Sequence, residues 1–213
     1  HSIRPDSGTM KLCGKEYDMA HATGQDVQTF RKNMQMVFQN PYSSLNPRMT
    51  VGQIIGEGLT SHGIFKRGDP AMKEYIMKVM EDCGLASYMF NRYPHQFSGG
   101  QKQRIVIAMA LVLNPGLILA DEPTTALDVT VQAEILDLLR LARDEFDASV
   151  LIITHNMGVI ADIADQVVVM YRGHVVEQGD VESIFYHPSH PYTQRLLAAV
   201  PRIGQKLVVR DVG

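Results

Sequence analysis

Apolar positions in the second half of the chain fall into short runs separated by amphipathic stretches. The runs GLILAD (116–121) and SVLIIT (149–154) are typical of buried strands. Between them, residues 129–146 carry an apolar side chain every three or four positions, as in a helix with one buried face. Because strands alternate with helices of crossover length, the pattern predicts a parallel sheet covered by helices on both faces.

The rest of the chain gives shorter signals. Residues 9–18, TMKLCGKEYD, predict a hairpin with Gly14 at its turn, and residues 34–38, MQMVF, predict a strand. Helical periodicity appears at 51–59 and 70–83, in a long helix from Ser98, and in shorter helices at 156–164, 181–185 and 190–200. Residues 165–179 predict two strands joined by a glycine turn.

Composition excludes several classes of protein. Hydrophobic residues make up 45% of the 213 positions and charged residues 20%, as in an ordinary globular domain. The net charge of −3 gives no broad basic field, so nucleic-acid binding is not expected. The longest apolar run, 105–113, is far shorter than the roughly 20 residues that span a bilayer. Cys13 and Cys83 lack metal-site spacing and are expected to be reduced thiols.

Two adjacent acids, Asp121 and Glu122, directly follow the strand 116–121, and His155 follows the next strand. Parallel sheets bind ligands at the carboxyl ends of their strands. An Asp-Glu pair there suits phosphoryl transfer, with the first carboxylate holding Mg²⁺ and the second orienting a water. The alternative is a strand that ends in solvent with two hydrated acids.

The segment FSGGQKQR (97–104) opens the long apolar helix. Ser98 is a favourable N-cap, and Gly99 and Gly100 allow the backbone to approach a ligand closely. The start of a helix also attracts anions. Taken alone, the segment could equally be an ordinary glycine-rich helix start.

Five segments together resemble the motifs of ATP-binding cassette (ABC) ATPases, in that family's order. The correspondences are Gln39 with the Q-loop, 97–101 with the LSGGQ signature (Phe97 replacing Leu), 117–122 with Walker B, 124–128 with the D-loop, and His155 with the H-loop. Three further stretches resemble ATPase subunits of dipeptide and oligopeptide importers, namely 38–55, 92–104 and 187–201.

The resemblance implies an α/β fold of the P-loop NTPase (RecA-like) type: a parallel-sheet core, a helical signature subdomain and a remnant of the antiparallel β subdomain. The implied boundaries within the single domain 1–213 are 1–40 and 114–186 for the hairpin remnant and core, 41–113 for the helical subdomain, and 187–213 for the tail.

The resemblance also implies a role for each motif residue. Asp121 would help position Mg²⁺, and Glu122 would be the general base for the hydrolytic water. Gln39 would contact Mg²⁺ or that water and pass the nucleotide state to a membrane subunit. His155 would hydrogen-bond the γ-phosphate of ATP. Ser98, Gly99, Gly100 and Gln101 would bind ATP held by a second ATPase subunit, and Asp128 would couple the two sites. The segment 41–95 would include the surface that receives a permease helix; the alternative is a plain solvated helical insert.

The phosphate cradle of the family, GxxxxGK[ST], is not found in residues 1–213. Its nearest imitation, Gly8 to Glu16, has five residues between the glycines and Glu16 in place of Ser or Thr. Two interpretations stay open: an N-terminally incomplete chain or a degenerate subunit. A sheet without that strand and helix is expected to expose core surface and to be unstable alone.

The expected function is therefore the ATP-hydrolysing subunit of a peptide importer, peripheral on the cytoplasmic face of the plasma membrane. Its expected partners are a second ATPase subunit, permease subunits and, indirectly, an extracytoplasmic binding protein. One alternative is a soluble ABC ATPase of translation or DNA repair; another is a catalytically dead regulatory subunit. The sequence leaves open the substrate (dipeptide, oligopeptide, nickel or glutathione), homo- or heterodimerisation, and a C-terminal Cys cluster.

Overall fold

The chain divides into two compact units, residues 1–153 and 154–213, each of which is described by itself. The structure, a computed structural model, describes residues 6–18, 20–125 and 127–199. The predicted helix at 190–200 lies within this part up to residue 199, and the end of the predicted tail falls outside it.

A three-stranded parallel sheet forms the centre of the first unit. Its strands are β3 (Met34–Val37), β4 (Leu117–Asp121) and β5 (Ser149–Ile153), in the order β3-β4-β5. The pairing aligns Val37 with Ala120 and Ala120 with Ile152, so the carboxyl ends of the strands lie level. Helix α6 (Val129–Asp144) connects β4 to β5. The predicted parallel sheet is confirmed.

Only one face of this sheet is fully covered. Val37, Ile118 and Ala120 are completely buried, and the long helices α5 (Gly99–Leu111) and α6 pack against the strands. On the other face Met36 is 40% and Leu151 50% exposed, level with Leu119 between them. The prediction of helices on both faces is wrong for the described residues of this unit, because an apolar strand pattern does not show which elements cover the strand. The expectation that a sheet without the phosphate-loop strand and helix exposes core surface is confirmed.

The hairpin at the start of the described chain pairs β1 (Thr9–Leu12) with β2 (Lys15–Asp18). Its two turn residues, Cys13 and Gly14, have φ angles of 49° and 76°, the left-handed pair that a tight type I′ turn needs. Residues 8–16 are thus a hairpin, as the sequence predicts, and do not form a phosphate loop. Helix α1 (Gly24–Asn33) follows; it buries no residue, which explains why its periodicity was too weak to predict it.

Helices dominate the segment between β3 and β4. They are α2 (Pro41–Ser44), α3 (Val51–Ser61), α4 (Pro70–Asp82) and α5, with 3-10 turns at Ser87–Asn91 and Pro94–Gln96. Side chains of Thr50, Asp69 and Ser98 cap the starts of α3, α4 and α5. All of these helices fall inside the segment predicted as a helical subdomain, 41–113, whose boundaries stay a prediction.

The second unit contains α7 (Met157–Ile163), the antiparallel pair β6 (Gln166–Tyr171) and β7 (His174–Asp180), α8 (Val181–Tyr186) and α9 (Pro191–Ala198). Val167, Val169 and Ile184 form its small core. The Glu177 carboxylate holds the loop before α9, accepting from the backbone N–H groups of Ser189 (2.6 Å) and His190 (3.1 Å). The pKa of Glu177 is lowered to about 2, mainly by the Thr193 hydroxyl and further by these backbone N–H groups.

None of the helices in the described ranges combines the length and apolar character that crossing a bilayer requires.

Gly52 of α3 lies directly against the ring of Phe90, and we expect Gly52→Ala to destabilise the protein. A Cβ atom at this position would overlap the ring of Phe90. Displacing that ring should lower the free energy of unfolding by about 1–3 kcal/mol, although Ala is the better helix former. Urea denaturation measures the difference.

Gly24→Ala is the matched control, because a Cβ at Gly24 meets no atom within 4 Å. It should leave stability unchanged or raise it slightly. Equal effects of the two substitutions would contradict the packing described for α3.

Candidate functional site

The carboxyl edge of the parallel sheet carries the predicted acids. Asp121 is the last residue of β4, level with Ile153 of β5, and is half-buried. Gln39 leaves the neighbouring strand β3 two residues after Val37, which pairs with Ala120. The sheet register therefore brings Gln39, Asp121 and Glu122 to one edge, as the sequence predicts for residues that follow adjacent parallel strands.

Glu122 is held by its backbone and by its side chain. It has a φ angle of 49°, uncommon for a residue with a side chain, and its N–H donates to the Ile153 carbonyl at 2.9 Å. The Thr125 hydroxyl donates to Oε2 of Glu122 at 2.6 Å. The carboxylate thus has a fixed direction at the end of the ladder. The sequence analysis placed Thr125 within the D-loop segment 124–128 but did not predict its contact with Glu122. The signal was a hydroxyl three residues after the acid.

Gln103 is a second residue that sequence reasoning missed. It lies in α5 with 1% of its surface exposed, and its side-chain amide donates to the Phe38 carbonyl at 3.4 Å. That carbonyl immediately precedes Gln39. The signal in the sequence was a polar residue at a core position of an apolar helix, since a buried amide needs a partner.

The start of α5 is a capping box. The Ser98 hydroxyl accepts from the Gln101 N–H at 3.3 Å, and the Gln101 side chain accepts from the Ser98 N–H at 3.1 Å. A Cβ atom on Gly99 would meet nothing within 4 Å, whereas one on Gly100 would lie 2.6 Å from Cγ1 of Val131. The backbone at Gly99 is therefore accessible at the start of α5. Gly100, in contrast, is required for the close packing of α5 on α6.

Asp128 caps α6 beside that contact. Its Oδ1 accepts from the Val131 N–H at 2.9 Å, and Asp128 is exposed. Because Val131 also packs on Gly100, the predicted signature segment and the predicted D-loop aspartate are neighbours in the first unit.

His155 belongs to the second unit, where it is exposed in the turn before α7. Its predicted place in a catalytic site stays a prediction. In the same unit Nδ1 of His190 accepts from the Tyr192 N–H at 3.1 Å, which gives this histidine a capping role in α9.

The described residues contain no cluster of three or more His, Cys, Asp or Glu side chains that could hold a metal ion by themselves. A magnesium site needs fewer protein side chains, because Mg²⁺ is usually held by one or two carboxylates together with phosphate oxygens and water. The carboxylate of Asp121 and the amide oxygen of Gln39 are hard oxygen donors of the kind Mg²⁺ prefers, so their chemistry fits a magnesium nucleotide.

A cavity of about 990 Å³ lies among α1, β3, α3 and α5. Apolar side chains line much of it, with Arg31, Glu57 and His62 among the polar ones. Its apolar lining includes Phe30, Met34, Phe38, Ile54, Val106 and Met109. Phe38 adjoins Gln39, so the cavity and the carboxyl edge of the sheet share one loop.

Comparison with known families agrees with this geometry. The family model "ABC transporter" matches residues 1–125, and the model "Oligopeptide/dipeptide transporter, C-terminal region" matches residues 176–211. The chain therefore belongs to the ABC transporter family.

Its relatives include ATP-binding proteins of glutathione import and oligopeptide transport. The glutathione import ATP-binding protein GsiA of Escherichia coli (strain K12) is 48% identical over 186 residues, which cover 87% of this chain and 29% of GsiA. The oligopeptide transport ATP-binding protein OppD of Bacillus subtilis (strain 168) is 47% identical over 189 residues, covering 87% of this chain and 52% of OppD. The chain thus spans about half or less of the length of these relatives.

Solved structures of ABC cassettes confirm the fold class. The cbiO1 protein of Clostridium perfringens, part of the transporter complex cbiONQ, aligns with a TM-score of 0.76 and 27% identity over 95% of this chain and 76% of its own. The ATP-binding cassette MJ0796 aligns with a TM-score of 0.70 and 24% identity over 84% of this chain and 75% of its own.

The buried amide of Gln103 leads to a prediction about stability. Gln103→Leu keeps the size of the side chain but leaves the Phe38 carbonyl without this donor. We expect the free energy of unfolding to fall by about 0.5–1.5 kcal/mol, measured by urea denaturation, because the bond is 3.4 Å long and Phe38 is exposed enough for water to replace the donor. Gln25→Leu, at an exposed position of α1, is the control and should change stability little. A Gln103→Leu protein as stable as the control would show that this hydrogen bond does not hold the loop.

Proposed function

We propose that this chain carries the hydrolytic and signature part of the ATPase subunit of an ABC importer for peptides. The observation that carries the proposal is the carboxyl edge of the sheet, where Gln39, Asp121 and Glu122 leave adjacent strands at one level. Membership of the ABC transporter family supports it, and so does the identity of nearly half of the aligned residues with GsiA and OppD.

Glu122 is the general base in this proposal. Its carboxylate accepts a proton from the water that attacks the γ-phosphorus of ATP, and ADP leaves on the opposite side. The left-handed backbone of Glu122 and the Thr125 hydroxyl orient the carboxylate before the nucleotide arrives.

Asp121 and Gln39 would hold Mg²⁺, which offsets negative charge on the phosphate oxygens of the nucleotide.

Gln39 would also transmit the nucleotide state to the permease, because its loop adjoins the cavity between α3 and α5. We assign that cavity to a helix of the permease. Its mixed lining, apolar with both acidic and basic side chains, suits an amphipathic helix. His155 would bind the γ-phosphate.

The start of α5 would act on a second subunit. Ser98, Gly99, Gly100 and Gln101 lie at the N-terminus of a 13-residue helix, which favours an anion. In the proposed head-to-tail dimer they bind the γ-phosphate of ATP held by the partner, and Asp128 couples the two sites. Homo- and heterodimers are equally compatible with this arrangement.

The importer class follows from the relatives and from the match of residues 176–211 to the oligopeptide/dipeptide transporter model. We infer uptake of peptides, with glutathione among the candidate substrates, and a peripheral position on the cytoplasmic face of the membrane. The permease and an extracytoplasmic binding protein would supply selectivity.

Two other functions are less well supported. A soluble ABC ATPase of translation or DNA repair is disfavoured by the importer relatives and by the helices, of which the longest described, α6, has 16 residues and is no coiled-coil insert. A dead regulatory subunit would explain the lack of GxxxxGK[ST] in residues 1–213, but the hydrogen-bonded Glu122 favours an active enzyme.

The decisive variant is Glu122→Gln, in the protein expressed from its whole reading frame. An amide cannot accept the proton from water, so we expect turnover of ATP to fall by at least about 100-fold while ATP binding persists. ATP should then accumulate on the protein and hold two subunits together. Phosphate release and sedimentation with and without MgATP measure the two effects.

Glu145→Gln is the matched control, since Glu145 is exposed at the far end of α6. It should hydrolyse ATP like the unsubstituted protein and show no ATP-dependent doubling of mass. Unchanged turnover in Glu122→Gln would contradict its role as the base, and a whole protein that binds no ATP would favour the regulatory subunit.

A further inference from the structure

Arg104 lies in the second turn of α5 and joins three helices through one guanidinium group. Its Nη2 donates to Oε2 of Glu134 in α6 at 2.7 Å, and its Nη1 donates to the Cys83 carbonyl at the end of α4 at 3.0 Å. The Arg104 side chain is 19% exposed and that of Glu134 47%. Arginine suits this position because its planar fork holds two acceptors in fixed directions, which a lysine ammonium does not.

The chain at the end of α4 is shaped around this side chain. Gly84 has a φ angle of 70°, and a Cβ atom there would overlap Nη1 of Arg104. The turn after α4 thus uses glycine both for its left-handed backbone and for the space that the guanidinium fills.

The ion pair between Arg104 and Glu134 lies one turn after another contact between α5 and α6. Gly100 packs on Val131, and Arg104 pairs with Glu134, so the contacts occur in the same order along both helices. We name these four residues the α5–α6 seam. The seam begins directly beside two capping residues, Ser98 of α5 and Asp128 of α6, and Val131 donates its N–H to Asp128.

We propose that Arg104 is a positioning residue that holds the start of α5 at a fixed offset from Asp128 and ties both to the end of α4. This inference rests on the proposed function, in which both helix starts must reach the nucleotide of the second subunit together. In this proposal Arg104 acts through Ser98–Gly100 and Asp128 and does not itself bind the nucleotide. A merely structural ion pair with a half-exposed partner would affect stability slightly and geometry not at all.

The test measures that offset directly. Spin labels are placed at His95→Cys and Val129→Cys, which are exposed positions close to the starts of α5 and α6. The protein is expressed from its whole reading frame and carries Cys13→Ser, so that this exposed thiol is not labelled. Cys83 is kept, because it is buried. Pulsed electron paramagnetic resonance then gives the distance distribution between the labels. Unlabelled proteins without the label sites are assayed for ATP turnover in parallel.

We expect Arg104→Gln to broaden the distance distribution and to lower kcat about tenfold, since small misplacements at a reacting centre have effects of this order or larger. The KM for ATP should change less than kcat. Arg104→Lys should be intermediate, and Glu134→Gln, which leaves the Cys83 hydrogen bond in place, should show a weaker effect of the same kind. Arg143→Gln removes an arginine from an exposed pair with Asp144 in α6 and should change neither readout.

A distribution as narrow in Arg104→Gln as in the unsubstituted protein would overturn the proposal, as would a broadened distribution with unchanged turnover. If Arg104→Gln fails to fold, the exposed Glu134→Gln variant decides between the same outcomes. If the unsubstituted protein has no ATP turnover, the proposed function fails instead, and the distance widths alone decide whether Arg104 sets the offset.

Discussion

The parallel ladder from β3 through β4 to β5 is the constraint on which the site depends. Its register places the ends of β3 and β4 level, and its last contact, from the Glu122 N–H to the Ile153 carbonyl, continues one residue beyond β4. The chain then turns through the left-handed conformation of Glu122. Two acids can therefore leave a buried strand with different surroundings: Asp121 ends the ladder, and Glu122 is turned toward the Thr125 hydroxyl.

Helix α5 connects this edge to the rest of the first unit. Its buried Gln103 holds the loop before Gln39, its Gly100 allows α6 to approach, and its Arg104 reaches α4 and α6. Two regions predicted from separate stretches of sequence, the loop before Gln39 and the start of α6 at Asp128, are thus both in contact with one helix or next to its contacts. In the proposed function, a movement of α5 would therefore reach both regions.

The sequence predicted the elements better than their surroundings. Apolar runs and turn residues sufficed for the parallel strands, the Cys13–Gly14 hairpin and the long helices. The strand pattern by itself predicted cover on both faces, because periodicity shows that a strand is apolar but not what packs against it. The open face at Met36 and Leu151 was expected only from the lack of GxxxxGK[ST] in residues 1–213. Thr125, Gln103 and Arg104 were missed since their partners lie on other elements or in a turn, and only the fold brings those partners near. The exposed helix α1 was missed for lack of an apolar stripe.

We propose that a magnesium nucleotide is hydrolysed at the carboxyl edge of the β3–β4–β5 sheet. A crystal structure of the protein from its whole reading frame, with Mg²⁺ and a slowly hydrolysed ATP analogue, would locate both groups. We expect Mg²⁺ bound to Asp121 or Gln39 directly, at about 2.0–2.1 Å, or through one water, with the γ-phosphate facing Glu122. A nucleotide and metal bound away from this edge would contradict it.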